Sequence, residues 1–337
     1  MVDVQAVLDG SRLDLSRMLT QIENQTETGQ AALIELFPHT GRAELIGITG
    51  APGTGKSSLV NQLAFHYRNP KNGEAPKKVA VVAVDPSSPF TGGAVLGDRI
   101  RMTALSGDTG VFVRSMASRG SLGGLASATA GMVQAFDAAG YEIILIETVG
   151  AGQAEVDIAR LADTTLVVEA PGLGDDIQAI KAGILEIADI LVINKADRPG
   201  VETTERALRS MLQLAHPVQR VFHHHGQDLI VDSPQGGEIP MWIPPIQRTV
   251  ATDASGLPEL LGHIADHRAH LEASGDLKRR ERSRLAAELD LRLQQALVHR
   301  WEESLSPGAY DQTLDRLLDR QLSPQEAVKA LLNGSLK

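Results

Sequence analysis

The octet Gly50-Ala51-Pro52-Gly53-Thr54-Gly55-Lys56-Ser57 stands between the apolar run Leu45-Ile46-Gly47-Ile48 and the segment Ser58-Leu59-Val60-Asn61-Gln62-Leu63-Ala64. The first run reads as a strand and the second as the opening turns of a helix. The octet fits G-x-x-x-x-G-K-[ST], a phosphate-binding loop. Three glycines let the backbone wrap phosphate oxygens, so that successive N–H groups and a helix N-terminus face the anion. Lys56 is expected to reach the outer phosphates and the Ser57 hydroxyl to ligate Mg²⁺. Ser58, in the first turn of the following helix, completes the expected phosphate-facing set. A Gly-rich turn with no ligand would explain the octet alone, but not strand, loop and helix in register.

A second motif specifies the nucleotide. Asp189-Ile190-Leu191-Val192-Ile193 reads as a strand and runs into Asn194-Lys195-Ala196-Asp197. N-K-x-D at a strand end is a guanine reader. The Asp197 carboxylate would accept hydrogen bonds from the ring N–H and the exocyclic amine, Asn194 would buttress the loop and base edge, and the Lys195 stem would lie along the ring. Adenine cannot donate that pair. Buried charged hydrogen bonds are each worth about 1.5–3 kcal/mol, enough to favour GTP over ATP.

Composition limits the alternatives. The chain has 337 residues, 42% hydrophobic but only 3% aromatic, so a core must be built from Val, Ile, Leu and Ala, as in parallel α/β sheets. A net charge of −10 argues against a general nucleic-acid or anionic-membrane binder. The absence of cysteine excludes disulfides and thiolate metal sites. No apolar run approaches the roughly 20 residues that span a bilayer. An N-terminus bearing Asp3, Asp9 and Asp14 without an apolar stretch indicates neither secretion nor organelle import, so a cytoplasmic protein is expected.

Three regions are expected: a helical preface (1–42), a nucleotide-binding α/β domain (43–272) and a helical C-terminal arm (273–337). In the preface, Leu8, Leu13, Leu15, Met18, Leu19 and Ile22 recur at partly helical spacing, and Ala31–Phe37 breaks at Pro38. The middle alternates strands (Ala43–Thr49, Val79–Val84, Gly110–Val113, Ile143–Glu147, Thr164–Glu169, Asp189–Ile193, Ile246–Ala251) with helices (Lys56–Arg68, Gly123–Ala139, Asp175–Glu186, Val201–Ala215, Leu257–Leu271). Such alternation implies βαβ units and a mainly parallel sheet covered on both faces. The His-, Gly- and Pro-rich stretch Val221–Pro245 reads as a long loop.

Three acidic clusters lie between the two nucleotide motifs. Val84-Asp85-Pro86-Ser87-Ser88-Pro89 ends a strand in an acid, Gly97-Asp98-Arg99-Ile100-Arg101-Met102 follows, and Glu147-Thr148-Val149-Gly150-Ala151-Gly152-Gln153 closes another strand in a Gly-rich turn. Strand-end carboxylates beside a phosphate loop typically hold Mg²⁺, directly or through water. That reading covers Asp85, Glu147 and Asp98, whose alternative is an ordinary turn or capping acid. The Gly150 amide is placed to touch a γ-phosphate, which would couple the loop to hydrolysis. Gln153 serves either to orient water or as an interface residue.

Taken in order, these motifs, together with Gly174-Asp175-Asp176-Ile177-Gln178-Ala179-Ile180-Lys181, resemble the MeaB/ArgK type of P-loop GTPase, whose human relative is called MMAA. The resemblance runs over about residues 1–335. It implies a metallochaperone-type GTPase fold, usually homodimeric, that serves adenosylcobalamin-dependent acyl-CoA mutases such as methylmalonyl-CoA mutase. GTP binding and hydrolysis would gate cofactor loading and protect or rescue the mutase. Hydrolysis would be slow alone and stimulated by the mutase. By position, the resemblance implies catalytic roles for Lys56, Asp85, Asp98, Glu147 and Lys181, with Mg²⁺ at Ser57, Asp85, Asp98 and Glu147. It also implies a switch carrying Gly174, Asp175, Asp176, Gln178 and Lys181. From the residues alone, Asp175 and Asp176 read equally as first-turn acids favoured by a helix dipole. Ala251-Thr252-Asp253 occupies the second guanine loop, where such GTPases usually carry Ser-Ala.

Three further features need a reading. Leu285, Leu289, Leu293, Leu297 and Trp301 form one apolar helix face, either folded back on the domain or, as the resemblance implies, a dimer arm. Lys278-Arg279-Arg280-Glu281-Arg282 reads as a solvated helix face. His223-His224-His225, with His216 nearby, offers imidazoles for Ni²⁺ or Zn²⁺. A nickel-handling metallochaperone of hydrogenase or urease maturation is therefore the alternative function, although nickel-inserting relatives generally use a cysteine. An amino-acid transport kinase, a label once attached to such sequences, is disfavoured by Asn-Lys-Ala-Asp.

Overall fold

Runs dense in Val and Ile become strands because branched side chains pack well on a pleated surface. The computed structural model describes residues 3–71, 73–86, 105, 107–118, 124–148, 159–172, 187–215, 219–224, 227–232 and 241–333. In it β1 (Glu44–Thr49), β2 (Val79–Pro86), β3 (Val111–Ser118), β4 (Ile143–Thr148), β5 (Thr164–Glu169), β6 (Ile190–Ile193) and β9 (Ile246–Arg248) form a seven-stranded parallel sheet. Its order is β3-β2-β4-β1-β5-β6-β9, with every pairing parallel. The expected α/β P-loop architecture is therefore present.

Burial on both faces explains the near-continuous apolar runs. Alternate residues of one strand enter different cores: Ile144 and Ile146 of β4 join one, Ile143 and Leu145 the other. On one face Phe136 and Met132 of α5 (Gly124–Ala138) pack with Leu15, Met18, Leu19 and Ile22 of α2 (Arg12–Glu23) and Leu33 and Leu36 of α3 (Glu27–Leu36). A short α1 (Val4–Leu8) adds Val7. The opposite face is covered by Leu59 and Leu63 of α4 (Lys56–Arg68) and by Leu260 and Ile264 of α7 (Leu257–Ser274), while α6 (Val201–Ala215) lies on β5 and β6 through Val201, Leu208 and Leu212. The preface is thus a layer of the α/β unit. Leu13, expected on its apolar stripe, is 61% exposed.

Three expectations change. Val221–Pro245 is not one long loop, because Gln219–His224 (β7) and Gln227–Asp232 (β8) pair as an antiparallel hairpin. The β-formers Val221-Phe222 and Leu229-Ile230-Val231 there favour strands more than the His-rich composition opposes them. Strand β3 runs on to Ser118 because β2 pairs with it throughout, and the Arg114 charge within it is met by Glu23 of α2. Strand β9 stops early, since Val250 turns to pair with Ser255. The expected helix Asp175–Glu186 lies outside the described residues.

The chain divides into two compact units, Met1–Glu281 and Arg282–Lys337. The second holds most of α8 (Asp276–Ser304), with α9 (Ala309–Leu318) and α10 (Pro324–Asn333). There Trp301 is half-buried and donates to the Leu331 carbonyl at 3.4 Å. Leu289, Leu293 and Leu297, at 67%, 54% and 57%, remain exposed.

At the N-terminal ends of the strands, two buried carboxylates pin the sheet. Asp163 accepts the Leu45 N–H of β1 at 3.0 Å and an Arg268 guanidinium N–H at 3.3 Å. Asp189 accepts the Thr165 N–H at 2.8 Å and a two-pronged bond from Arg280 at 2.8 and 2.7 Å, and stands 3.3 Å from His267 Nε2. Arg280 is thus not on a solvated face, because a desolvated carboxylate demands a cation. Burial pushes the Asp189 carboxyl up, but hydrogen bonds from His267 and Arg280 outweigh it and hold the group below its ordinary value. A lowered carboxylate pKa stabilises the fold above the unfolded-state value near 4 and loses that contribution as pH falls through the folded one. Arg280→Ala should cost about 1–3 kcal/mol at pH 7, below the fully buried limit because Arg280 keeps some solvent contact. Urea unfolding of both proteins from pH 7 to pH 3 should show the difference shrinking as Asp189 protonates. A difference independent of pH would contradict the ion-pair assignment.

Candidate functional site

In open parallel sheets, ligands sit beyond the C-terminal strand ends where the winding reverses. Here that point is β1, with β4 on one side and β5 on the other, and β1 leads directly into the octet. Gly50 and Gly55 have φ of +136° and +94°, values that side-chain-bearing residues rarely adopt. They are also crowded: a Cβ on Gly50 would lie 2.1 Å from the Val168 carbonyl oxygen, and one on Gly55 would lie 2.4 Å from Asn194 Nδ2. Glycine is therefore required by packing as well as by the turn. Gly55 caps α4 without a side chain, leaving the helix start without a competing side-chain acceptor.

Lys56 is 6% exposed and donates to the Gly50 and Ala51 carbonyls at 2.8 and 3.0 Å. The ammonium is thus held across the mouth of the loop it is expected to serve. Pro52, Gly53 and Ser58 are exposed, and Thr54 is buried with its hydroxyl on the Ala51 carbonyl at 3.0 Å. The Ser57 hydroxyl donates to Glu147 Oε1 at 2.6 Å, which brings two of the expected magnesium ligands together. Glu147 is 5% exposed. Beneath this pair the Thr148 hydroxyl donates to Thr49 Oγ1 at 3.0 Å, joining the tips of β4 and β1. Sequence reasoning missed these threonines, although Thr49 ends one predicted strand and Thr148 directly follows another.

The second motif closes on the first. Asn194 is 2% exposed, and its Nδ2 donates to the Thr54 carbonyl at 2.8 Å. Its Oδ1 accepts the Ala251 N–H at 3.1 Å. One amide thereby fastens the phosphate loop to the turn at Ala251 that follows β9. The missing Ser-Ala is no loss to this link, since it uses the backbone of Ala251. Lys195 adopts φ +57° and reaches back to donate to the Gly53 carbonyl at 2.5 Å. Asp197 is exposed, open to a base. A cleft of 270 Å³ adjoins, lined by Gly53, Ala170, Pro171, Gly172, Lys195 and Arg198 among others. In the turn after Ala251, Asp253 accepts the Ser255 N–H at 2.9 Å, which holds its carboxyl below the ordinary range.

Asp85 lies near the end of β2, opposite Ala117 in the register, but its side chain falls outside the described residues. Asp98, Gly150, Gln153, Gly174, Asp175, Asp176, Gln178, Lys181, His216 and His225 also lie outside them. His223 and His224 belong to β7, their side chains likewise undescribed. Among the described residues no three His, Asp or Glu converge as a metal cluster, and no helix is long and apolar enough to cross a membrane.

Known proteins resemble this chain in sequence and fold. The profile of the family described as methylmalonyl-CoA mutase-associated GTPase MeaB matches residues 15–305. A candidate GTPase of Pyrococcus abyssi is 42% identical over 337 residues, 99% of this chain and 97% of that protein. The mitochondrial methylmalonic aciduria type A homolog of Caenorhabditis elegans is 30% identical over 83% of this chain and 69% of its own length. Among solved structures, one named LAO/AO transport system kinase superposes with a TM-score of 0.66 at 25% identity, covering 99% of this chain and 96% of that one.

The crowding at Gly55 makes a sharp expectation. Gly55→Ala should keep the far-ultraviolet circular dichroism of the wild type while weakening guanine-nucleotide binding at least about a hundredfold, since the added methyl forces either loop or Asn194 to move. Titration with a fluorescent GDP analogue measures it, and near-normal affinity would refute the packing argument.

Proposed function

The chain belongs to the MeaB family of methylmalonyl-CoA mutase-associated GTPases, and on that premise we propose that it is a GTP-driven chaperone of an adenosylcobalamin-dependent acyl-CoA mutase. As a P-loop GTPase it converts GTP to GDP and phosphate. The proposal adds that hydrolysis gates cobalamin loading and protects or reactivates the mutase. The observation that carries the nucleotide half is the Asn194 amide joined to both the phosphate loop and the second guanine loop. The mutase half rests on the family itself and on the methylmalonic aciduria homolog.

In this reading Lys56 leaves the loop carbonyls for the β- and γ-phosphates, a short move for a flexible ammonium. Ser57 and Glu147, with Asp85 and Asp98, offer the hard oxygen ligands that Mg²⁺ prefers. When bound, such an ion offsets charge on the transferring phosphoryl group. Glu147, at the tip of β4, adjoins the segment carrying Gly150, so the γ-phosphate, the metal ligands and the switch of Gly174, Asp175, Asp176, Gln178 and Lys181 act as one unit. Lys181 and Asp175 are its charged contacts with the rest of the machinery. The output is the shape of that switch, read by the mutase. Action as a cytoplasmic homodimer fits the exposed leucines Leu289, Leu293 and Leu297 on α8. Within this proposal residues 273–337 are the dimer arm.

Two measurements test the two halves. Asp197→Asn should move preference from GTP toward XTP, because an amide can donate to the extra carbonyl of xanthine; unchanged selectivity would refute the base assignment. Adding the acyl-CoA mutase from the same source should accelerate GTP hydrolysis by about tenfold or more, measured as phosphate release. No acceleration by any cobalamin-dependent acyl-CoA mutase of that source would sink the chaperone reading.

A further inference from the structure

The Asn194 amide has four hydrogen-bonding positions, two N–H donors and two carbonyl lone pairs. Nδ2 faces the Thr54 carbonyl at 2.8 Å and the Gly55 carbonyl at 3.4 Å. Oδ1 accepts the Ala251 N–H at 3.1 Å and the Thr249 hydroxyl at 3.3 Å. Turning the amide over would set its NH₂ against the Ala251 N–H and its oxygen against the Thr54 carbonyl, so only one orientation is tolerated. Every position is then spent within the protein, and Asn194 acts on the nucleotide by holding two loops together.

We propose that Thr249 is a positioning residue for guanine-nucleotide binding, acting through Asn194. Thr249 is 1% exposed, so its hydroxyl has no water to turn to, and a buried hydroxyl without a partner is costly. Its backbone brackets the same turn from both sides: its N–H donates to the Ile193 carbonyl at 2.9 Å, and its carbonyl accepts the Ala196 N–H at 3.0 Å. Side chain and backbone together fix the residues on either side of the Asn194-Lys195 peptide, and Ala251 two residues later completes the frame. Removing the hydroxyl leaves one lone pair of Oδ1 unsatisfied and loosens the amide between the loops. The expected consequence is weaker binding of the whole nucleotide, with little change in chemistry once it is bound. The inference rests on the reading of this cleft as the guanine-nucleotide site.

Thr249→Val keeps the side-chain shape and removes only the hydroxyl, while Thr249→Ser keeps the hydroxyl. A fluorescent GDP analogue and a non-hydrolysable GTP analogue should each bind Thr249→Val about tenfold more weakly. KM for GTP should rise by a similar factor while kcat at saturation stays near wild type, and Thr249→Ser should restore affinity. Should Thr249→Val prove insoluble, Thr249→Ala carries the same expectation. Unchanged affinity in the variants lacking the hydroxyl, or equal loss in Thr249→Ser and Thr249→Val, would overturn the proposal. A loss confined to kcat would overturn it as well. A wild-type protein that binds neither analogue would sink the reading of the site itself, and the inference with it.

Discussion

The nucleotide end of the molecule depends on one buried amide. Phosphate loops and guanine loops come from distant parts of a chain, here 140 residues apart at Thr54 and Asn194, and each is irregular backbone without a sheet ladder of its own. Something must set the spacing between them. Asn194 does this with short, directional bonds to backbone groups of both loops, while Lys195 adds a second strap to Gly53. Charge alone could not perform the task, since an ammonium is indifferent to direction whereas an amide fits only one way round. The close approach of Gly55 to the amide is the same constraint seen from the loop.

Precision at the strand tips requires strands that do not slide, and the opposite end of the sheet supplies it. Asp163 and Asp189 precede β5 and β6 and take backbone N–H groups from β1 and β5. In the three strands that carry the phosphate loop, the Pro171 cleft wall and the guanine motif, these carboxylates thus add side-chain ties to a register already set by the ladders and the buried apolar faces. Arg280, at the start of α8, neutralises one of these carboxylates. Trp242 strengthens the arrangement by donating to the Asp189 carbonyl at 2.8 Å and lying against His267.

The parts legible in the sequence are those whose physics is local. The octet was readable because its glycines, lysine and serine sit in a fixed order between a strand and a helix, and the guanine motif because it ends another strand. Both stand at the tips of the predicted strands. What escaped was encoded by contact between distant residues. Arg280 sits in a charged run that looks solvated from its neighbours alone, and only the tertiary fold supplies Asp189. Thr249 has no motif, being one hydroxyl among many. The hairpin of β7 and β8 was hidden because histidines and glycines dominate the segment while its strand-forming residues are few.

The turn at Ala251 shows most plainly where pattern and mechanism part. A family signature records side chains, so Ala251-Thr252-Asp253 looks like a departure. The atom used at Ala251 is its backbone N–H, which every residue but proline supplies. What must be kept at that position is a chain path that presents the N–H to Asn194 and leaves no room for bulk, and alanine at 5% exposure satisfies both. The turn that follows is secured by Asp253 and by the pairing of Val250 with Ser255. The same path is thus reached through different side chains. What the asparagine requires here is a set of backbone groups within its reach, not particular side chains around them.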